Sequence, residues 1–331
     1  MFFNDLIELT NHHIDHCESY KRLVTNFLQS KTTSSIKTLD EIPFIHVSVF
    51  KESILSSIDE RDVFKTLKSS GTTGSQSIIK IDRNDAQKQN EVLYASYKRC
   101  VSSNKRIMLV VDKDPREIIK NEGYVARAAG IVGFGSFCLN RVYLIDKNGD
   151  FSFNLLDEAL RKYKNVPILL FGLTPHIWQR RNTLRYALKH LNLKDIVVLH
   201  GGGWKKLEVQ SVTKKEFDDT MHVLGAMKVI NYYGMVEQLG SVFFACSNGH
   251  FHAHDKARAI ARDITSLKPI DNHTGVMQFL STVPRSYPGH SILTDDLGIL
   301  HTDICGCGDE NEHFTIIGRH KESVIRGCGN T

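Results

Sequence analysis

The sequence has 331 residues, a net charge of +5, and 41% hydrophobic against 24% charged residues. A chain of this size and make-up buries a core without covalent staples, which excludes the disordered and the disulfide-dependent classes. Its Lys and Arg residues are interleaved with acids rather than gathered in a stripe, which argues against a nucleic-acid partner.

Residues 1 to about 30 read as helix, with apolar residues at spacings of three and four at Leu6, Ile7 and Leu9 and again at Leu23, Val24, Phe27 and Leu28. His12, His13 and His16 fall on this helix and read as a solvated polar face. Acids and histidines stand where a signal peptide needs a basic head and an apolar core, and no apolar run is long enough to span a bilayer. The expected compartment is therefore the reducing cytoplasm, with the seven cysteines as thiols, ligands or nucleophiles.

Residues 66–83 form a small-residue loop followed by a β-branched strand, Ile78 to Ile81. A helix follows at 84–101, then a buried strand at 108–111 and a small-residue helix within 123–137. Further apolar strands are predicted at 142–145, 167–172 and 196–203, with helices from Leu155 to Tyr163 and His176 to Leu191 between them. Short apolar strands alternating with helices predict an α/β fold whose sheet is largely parallel and covered on both faces. From about 265 turns become frequent, at Gly275, Pro284, Pro288, Gly298 and Gly308. The expected organisation is one domain over 1–331, with an α/β core at about 40–262 and a β-rich lobe at about 263–331.

Ser69, Ser70, Gly71, Thr72, Thr73 and Gly74 form the most informative segment. Two glycines let the backbone approach phosphate oxygens, and four hydroxyls with the loop amides supply donors. No Gly-Lys-Ser/Thr follows, so this is not a Walker A loop. Downstream come His200, Gly201, Gly202, Gly203, Trp204 and Lys205, where three glycines after a buried strand let a ligand lie flat on the backbone. Tyr232, Tyr233 and Gly234 precede Glu237, pairing a flat ring suited to a base with a hard carboxylate suited to Mg²⁺. Thr294-Asp295-Asp296-Leu297 offers a carboxylate with two acceptor oxygens for a vicinal diol, and Gly318-Arg319 offers a planar fork of donors.

These motifs, in this order, resemble the adenylate-forming enzymes, the superfamily of acyl-CoA synthetases, peptide-synthetase adenylation domains and luciferases. The resemblance implies that 69–74 binds the phosphates of ATP, that Tyr233 packs on adenine, that Glu237 holds Mg²⁺, and that Asp296 and Arg319 hold the ribose. It further implies that Gly201 to Gly203 wall the adenine and acyl pocket and that His176, after Thr174-Pro175, borders the acyl site. His200 and Trp204 are candidate substrate contacts beside it. The lysine usual after the phosphate loop is replaced by Ser77, leaving Lys80 or Lys205 to supply positive charge.

Within that superfamily the whole chain is similar to the acyl-protein synthetases of bacterial fatty-acid reductase complexes. HCESYKRLV, IPFIHVSVFK, SSGTTG, GGGWK and TDDLGI carry this likeness. It implies activation of a carboxylic, most often fatty, acid as acyl-AMP, then transfer to a cysteine near the C-terminus, for which Cys328 stands in place. The final acceptor would be an acyl-CoA reductase or a carrier protein. The superfamily's small C-terminal domain is expected to be absent. A second resemblance, to phenylacetate-CoA ligase-like enzymes, rests on Cys246, His250, His252, Cys305 and Cys307. It implies a structural Zn²⁺, with His250 and His252 competing for one position, and it keeps coenzyme A open as an alternative acceptor. A non-catalytic acyl- or nucleotide-binding role is the remaining alternative.

Overall fold

The structure is a computed structural model and describes residues 1–28, 32–69, 76–102, 104–188, 195–204 and 209–320. Its internal contacts divide the chain into two units. One comprises Met1–Val92, Gly234–Phe243 and His250–Thr331; the other comprises Leu93–Tyr233 and Phe244–Gly249.

The second unit is the expected parallel sheet. Its strands run in the order Asn140–Tyr143, Ile107–Val110, Ile168–Leu173, Ile196–Gly201 and Ala226–Gly234, with Val242–Phe244 beyond. The first five pair in parallel. The three central strands are buried along almost their whole length, as strands covered on both faces must be. Ile107, Leu109, Leu170 and Val198 pack with Leu156, Leu184 and Phe217 from the covering helices. Two of those helices were not expected from the sequence. Pro115–Glu122 starts on Asp114, which accepts the Arg116 N–H, with proline at the first turn. Lys214–Val223 starts on Thr213, which accepts the Glu216 N–H. The predicted helix from His176 is two helices, Thr174–Gln179 and Arg181–Leu188.

The first unit is built on an antiparallel sheet in the order Phe251–His252, His313–Arg319, Ser291–His301, Gly275–Ser281 and Ala257–Arg262. Within this sheet Ala257–Arg262 pairs along its length with Gly275–Ser281. The N-terminal arm joins it: Ile45–His46 pairs in parallel with Ser291–His301, setting His46 beside Leu293.

The N-terminal helix is two helices, Phe2–His16 and Glu18–Leu28, broken at an extended Cys17. His13 corrects the solvated-face expectation. It is fully buried, with Nδ1 2.8 Å from Ser57 Oγ and Nε2 3.2 Å from the Pro284 carbonyl. Its helix turns Leu6, Leu9, Thr10 and His13 inward, and tertiary partners satisfy the ring. His16 stays on the exposed side, and His12 reaches the Arg285 carbonyl.

Candidate active site

The predicted phosphate loop is held at its base by a hairpin. Lys65–Lys68 and Ile78–Ile81 pair antiparallel, with Lys68 opposite Ile78. Beyond that pair Ser69 donates to the Ser77 carbonyl at 3.1 Å, Ser77 N–H donates to Ser69 Oγ at 2.9 Å, and the Gln76 amide donates to the Ser69 carbonyl at 2.9 Å. Ser70, Gly71, Thr72, Thr73 and Gly74 lie outside the described residues, as do Lys205 and Cys328. Ser77 is fully buried and its hydroxyl has no hydrogen-bond partner among the described residues. Lys80 points to Glu60, with Nζ 2.5 Å from the carboxylate.

In the same unit Asp296 and Arg319 are direct cross-strand neighbours. Arg319 Nε lies 3.6 Å from Asp296 Oδ1, and its terminal nitrogen lies 3.8 Å from Asp295 Oδ2. Thr294 orients the turn of the strand: its hydroxyl donates to the Met277 carbonyl and accepts the Asp296 N–H. Asp295 takes a second partner, His46, at 3.1 Å. The His46 bond, helped by the Arg319 and Lys51 charges, holds the Asp295 carboxyl below its usual range against the opposing effect of burial. Sequence reading passed over His46 and Asp295, whose meeting depends on strand pairing.

Glu237 is buried, on a segment fixed by its neighbours. The Gln238 amide donates to the Phe279 and Gly289 carbonyls at 2.8 and 2.9 Å and accepts the Ser241 hydroxyl at 2.6 Å. The Leu239 N–H donates to the buried Tyr287 hydroxyl at 2.9 Å.

In the parallel unit the candidate residues gather at the carboxyl ends of the strands, where open α/β sheets bind ligands. Gly201 ends its strand directly opposite Tyr232 on the next. A Cβ on Gly201 would stand 2.7 Å from the Tyr232 carbonyl oxygen and ring, so only glycine fits. Tyr232 in turn stacks on Phe171 and meets Phe134 edge-on, so it forms part of an aromatic wall. Gly202 has φ +81, whereas Gly203 is open on the Cβ side. Trp204 packs against the sheet core. His200 is buried, its ring against Phe217 and its Nδ1 2.8 Å from Thr174 Oγ1. Burial and then the Lys214 charge lower its pKa to about 3, so the ring is neutral.

His176 sits in a charged group that sequence reading did not find. Its Nδ1 lies 3.5 Å from Asp112, which also accepts from Arg127 at 3.2 Å. Burial would raise the Asp112 carboxyl, but the His176 contact and the Arg127 charge outweigh it and hold it below its ordinary value. A lone acid two residues past a strand carries no pattern, so no sequence signal marked it.

Four of the candidate ligands of the second resemblance meet in pairs inside the antiparallel unit. His252 Nε2 lies 3.3 Å from Cys307 Sγ, and His250 Nδ1 lies 3.2 Å from Cys305 Sγ. His252, Cys305 and Cys307 present ligand atoms within 4.8 Å of one another. His252 Nδ1 is 3.2 Å from the Asn311 carbonyl, the outer contact that fixes a ligating imidazole. Cys246 belongs to the other unit. The six described cysteines form no disulfide. No helix among the described residues is long and apolar enough to cross a membrane.

The fold is that of the adenylate-forming ligases. An open form of 2-hydroxyisobutyryl-CoA ligase, bound to its acyl adenylate and CoA, superimposes with a TM-score of 0.72 at 13% identity, covering 96% of this chain and 69% of that one. The thioesterification state of the same ligase gives 0.71 at 14% identity, with 96% and 67% covered. The sequence matches the family described as acyl-protein synthetase, LuxE, over residues 1–331, and the chain belongs to that family. Its relatives include the long-chain-fatty-acid–luciferin-component ligases of Vibrio harveyi and Aliivibrio fischeri. The first is 25% identical over 302 residues, spanning 88% of this chain and 78% of the relative. The second is 24% identical over 300 residues, spanning 87% and 76%.

Proposed function

We propose that this acyl-protein synthetase activates a long-chain fatty acid with ATP and carries the acyl group on a thiol. The observation that supports this most directly is the placement of Asp296 opposite Arg319, which sets a carboxylate and a guanidinium from two separate motifs side by side. A carboxylate can accept from both ribose hydroxyls while the arginine fork donates to ribose or phosphate oxygens.

In the first step a substrate carboxylate oxygen attacks the α-phosphorus of ATP. A phosphorus–oxygen bond to the β-phosphate breaks, and acyl-AMP and pyrophosphate form. Amides and hydroxyls of 69–74 stabilise the charge on the transferring phosphate, with Lys80, which here pairs with the exposed Glu60, or Lys205 supplying positive charge. Tyr233 and Gly201 to Gly203 keep the adenine-binding roles implied by the family resemblance. The buried Glu237 carboxylate is a hard oxygen donor that suits Mg²⁺, which would neutralise phosphate charge. In the second step the Cys328 thiolate attacks the acyl carbon, having given its proton to solvent or a base. AMP leaves, and a thioester forms that can pass to a reductase or carrier. The His252, Cys305 and Cys307 set suits a structural Zn²⁺ by donor type and spacing.

ATP–pyrophosphate exchange across fatty, aryl and amino acids tests the reading. Exchange driven by fatty acids and rising with chain length is expected. Exchange driven by none of them, or by amino acids alone, would overturn it.

A further inference from the structure

We propose that His301, Asp303 and His313 form a second metal site for a divalent ion of the zinc class, adjoining the thiolate set through His250, whose Nδ1 lies 3.2 Å from Cys305 Sγ. The pairing of three strands creates it. His301 ends one strand and lies directly opposite His313, which opens the next. His313 lies directly opposite His252 on the short strand beyond. Direct cross-strand partners share a sheet face, so three imidazoles form a row, and His250, two residues before His252, falls on that face too.

The rings are crowded and nearly parallel. Centroids of His250 and His301 are 4.8 Å apart, His250 and His313 4.7 Å, and His301 and His313 5.1 Å, with planes within 25°. Apolar packing does not call for this choice of side chain, and protonating several such neighbours at once would set like charges together. His313 is only 2% exposed, yet its Nε2 has no hydrogen-bond partner among the described residues. The nearest carboxylate oxygen to it, Asp303 Oδ1, is 3.7 Å away, too far for a hydrogen bond. Two ligands on one tetrahedral zinc stand about 3.3 Å apart, so a shift of a few tenths of an ångström brings both onto an ion.

Ligand atoms of His301, Asp303 and His313 already lie within 4.8 Å of one another. His301 Nε2 is 3.2 Å from the Thr315 hydroxyl, which orients the ring. Two imidazoles and a carboxylate suit zinc, cobalt or nickel better than Mg²⁺ or Ca²⁺. The Asp303 side chain is 76% exposed, so the group reaches solvent on that side. That separates this site from a closed thiolate centre.

The test uses the full chain with the candidate thiolate ligands removed by Cys246→Ser, Cys305→Ser and Cys307→Ser, dialysed against Zn²⁺ and assayed for bound metal. About one equivalent retained, with affinity falling at least about tenfold on adding His301→Ala and Asp303→Ala, is expected, since even outer-shell losses reach that size. Co²⁺ bound to the thiolate-free chain should show visible ligand-field bands without thiolate charge transfer. Should the cysteine variants fail to fold, His301→Ala with Asp303→Ala in the otherwise unchanged chain should lose about one equivalent while its Co²⁺ thiolate band persists. Thiolate-free protein that binds no metal, or metal content indifferent to His301 and Asp303 in either background, would overturn the proposal.

Discussion

Asp296 and Arg319 face each other across adjacent antiparallel strands, 3.6 Å from carboxylate to guanidinium, although 22 positions separate them in the chain. The Arg319 side chain is 57% exposed and that of Asp296 24%, so the pair contributes little to stability, about 0–1 kcal/mol. Asp296→Asn should therefore leave the melting temperature nearly unchanged. Under the proposed reading it removes one charged acceptor for the ribose, and hydrogen bonds to charged groups contribute about 1.5–3 kcal/mol. Pyrophosphate release should show kcat/KM for ATP lowered about 10- to 100-fold. A variant with full activity would remove Asp296 from the nucleotide-binding role.

The glycine turn separates a positional requirement from a general one. Gly201→Ala would press its Cβ to 2.7 Å from the Tyr232 carbonyl, a backbone atom that cannot swing aside. It should destabilise by about 1–3 kcal/mol, as overpacking does, and reduce acid-dependent pyrophosphate release as the strand end shifts. Gly203 has open space on the same test, so Gly203→Ala should change stability by no more than about 0.5 kcal/mol. Urea denaturation of the two variants checks the contrast, and equal losses would refute it.

The parallel sheet was legible because its strands are unbroken apolar runs, and burial on both faces leaves no other reading of Ile168–Leu173 or Ile196–Gly201. The helix Lys214–Val223 was missed although Thr213 and Glu216 form a capping-box pattern at its start. The candidate nucleotide motifs stand out in the sequence as local strings of glycine, hydroxyl and acid. Contacts made only by tertiary pairing do not: His46 with Asp295, Asp112 with Arg127 and His176, and His301 with His313. His13 shows the limit most clearly. Its helix reads as polar on that side, and only the Ser57 hydroxyl and Pro284 carbonyl make the buried position acceptable.

His13 and His290 set an acid limit on the antiparallel unit. Their rings stack 5.0 Å apart, and His290 Nε2 lies 3.0 Å from Thr10 Oγ1 and 3.3 Å from the Tyr20 hydroxyl. Burial, then the His12 charge, lowers the His290 pKa to about 3, and burial with the His290 charge holds His13 well below its ordinary value. Both folded-state values lie below the unfolded value near 6.5, so between these limits the unfolded chain binds more protons. Stability is then fully present above about pH 6.5 and falls as pH drops below it, by on the order of 1 kcal/mol per histidine at about pH 5.5. Urea midpoints at a series of pH values should show this slope, and His290→Gln should flatten it. A profile level from neutral to mildly acid pH would contradict buried neutral rings.

Adenylation and acyl transfer should separate at one atom. Under the proposed sequence the Cys328 sulfur enters only after pyrophosphate has left, so its removal cannot slow formation of the anhydride. Cys328→Ala should retain ATP–pyrophosphate exchange with the preferred fatty acid, since exchange needs only the first step and its reverse. The same variant should show no acyl adduct by intact-protein mass spectrometry after incubation with ATP and that acid, whereas the unaltered chain should carry one acyl group sensitive to hydroxylamine. Cys305→Ser serves as the comparison, because its thiol belongs to the proposed metal set rather than to the transfer step. An adduct that persists without Cys328 would move the acceptor to another thiol. Loss of exchange in Cys328→Ala, with an unchanged melting temperature, would place this cysteine in the first step and reverse the proposed order.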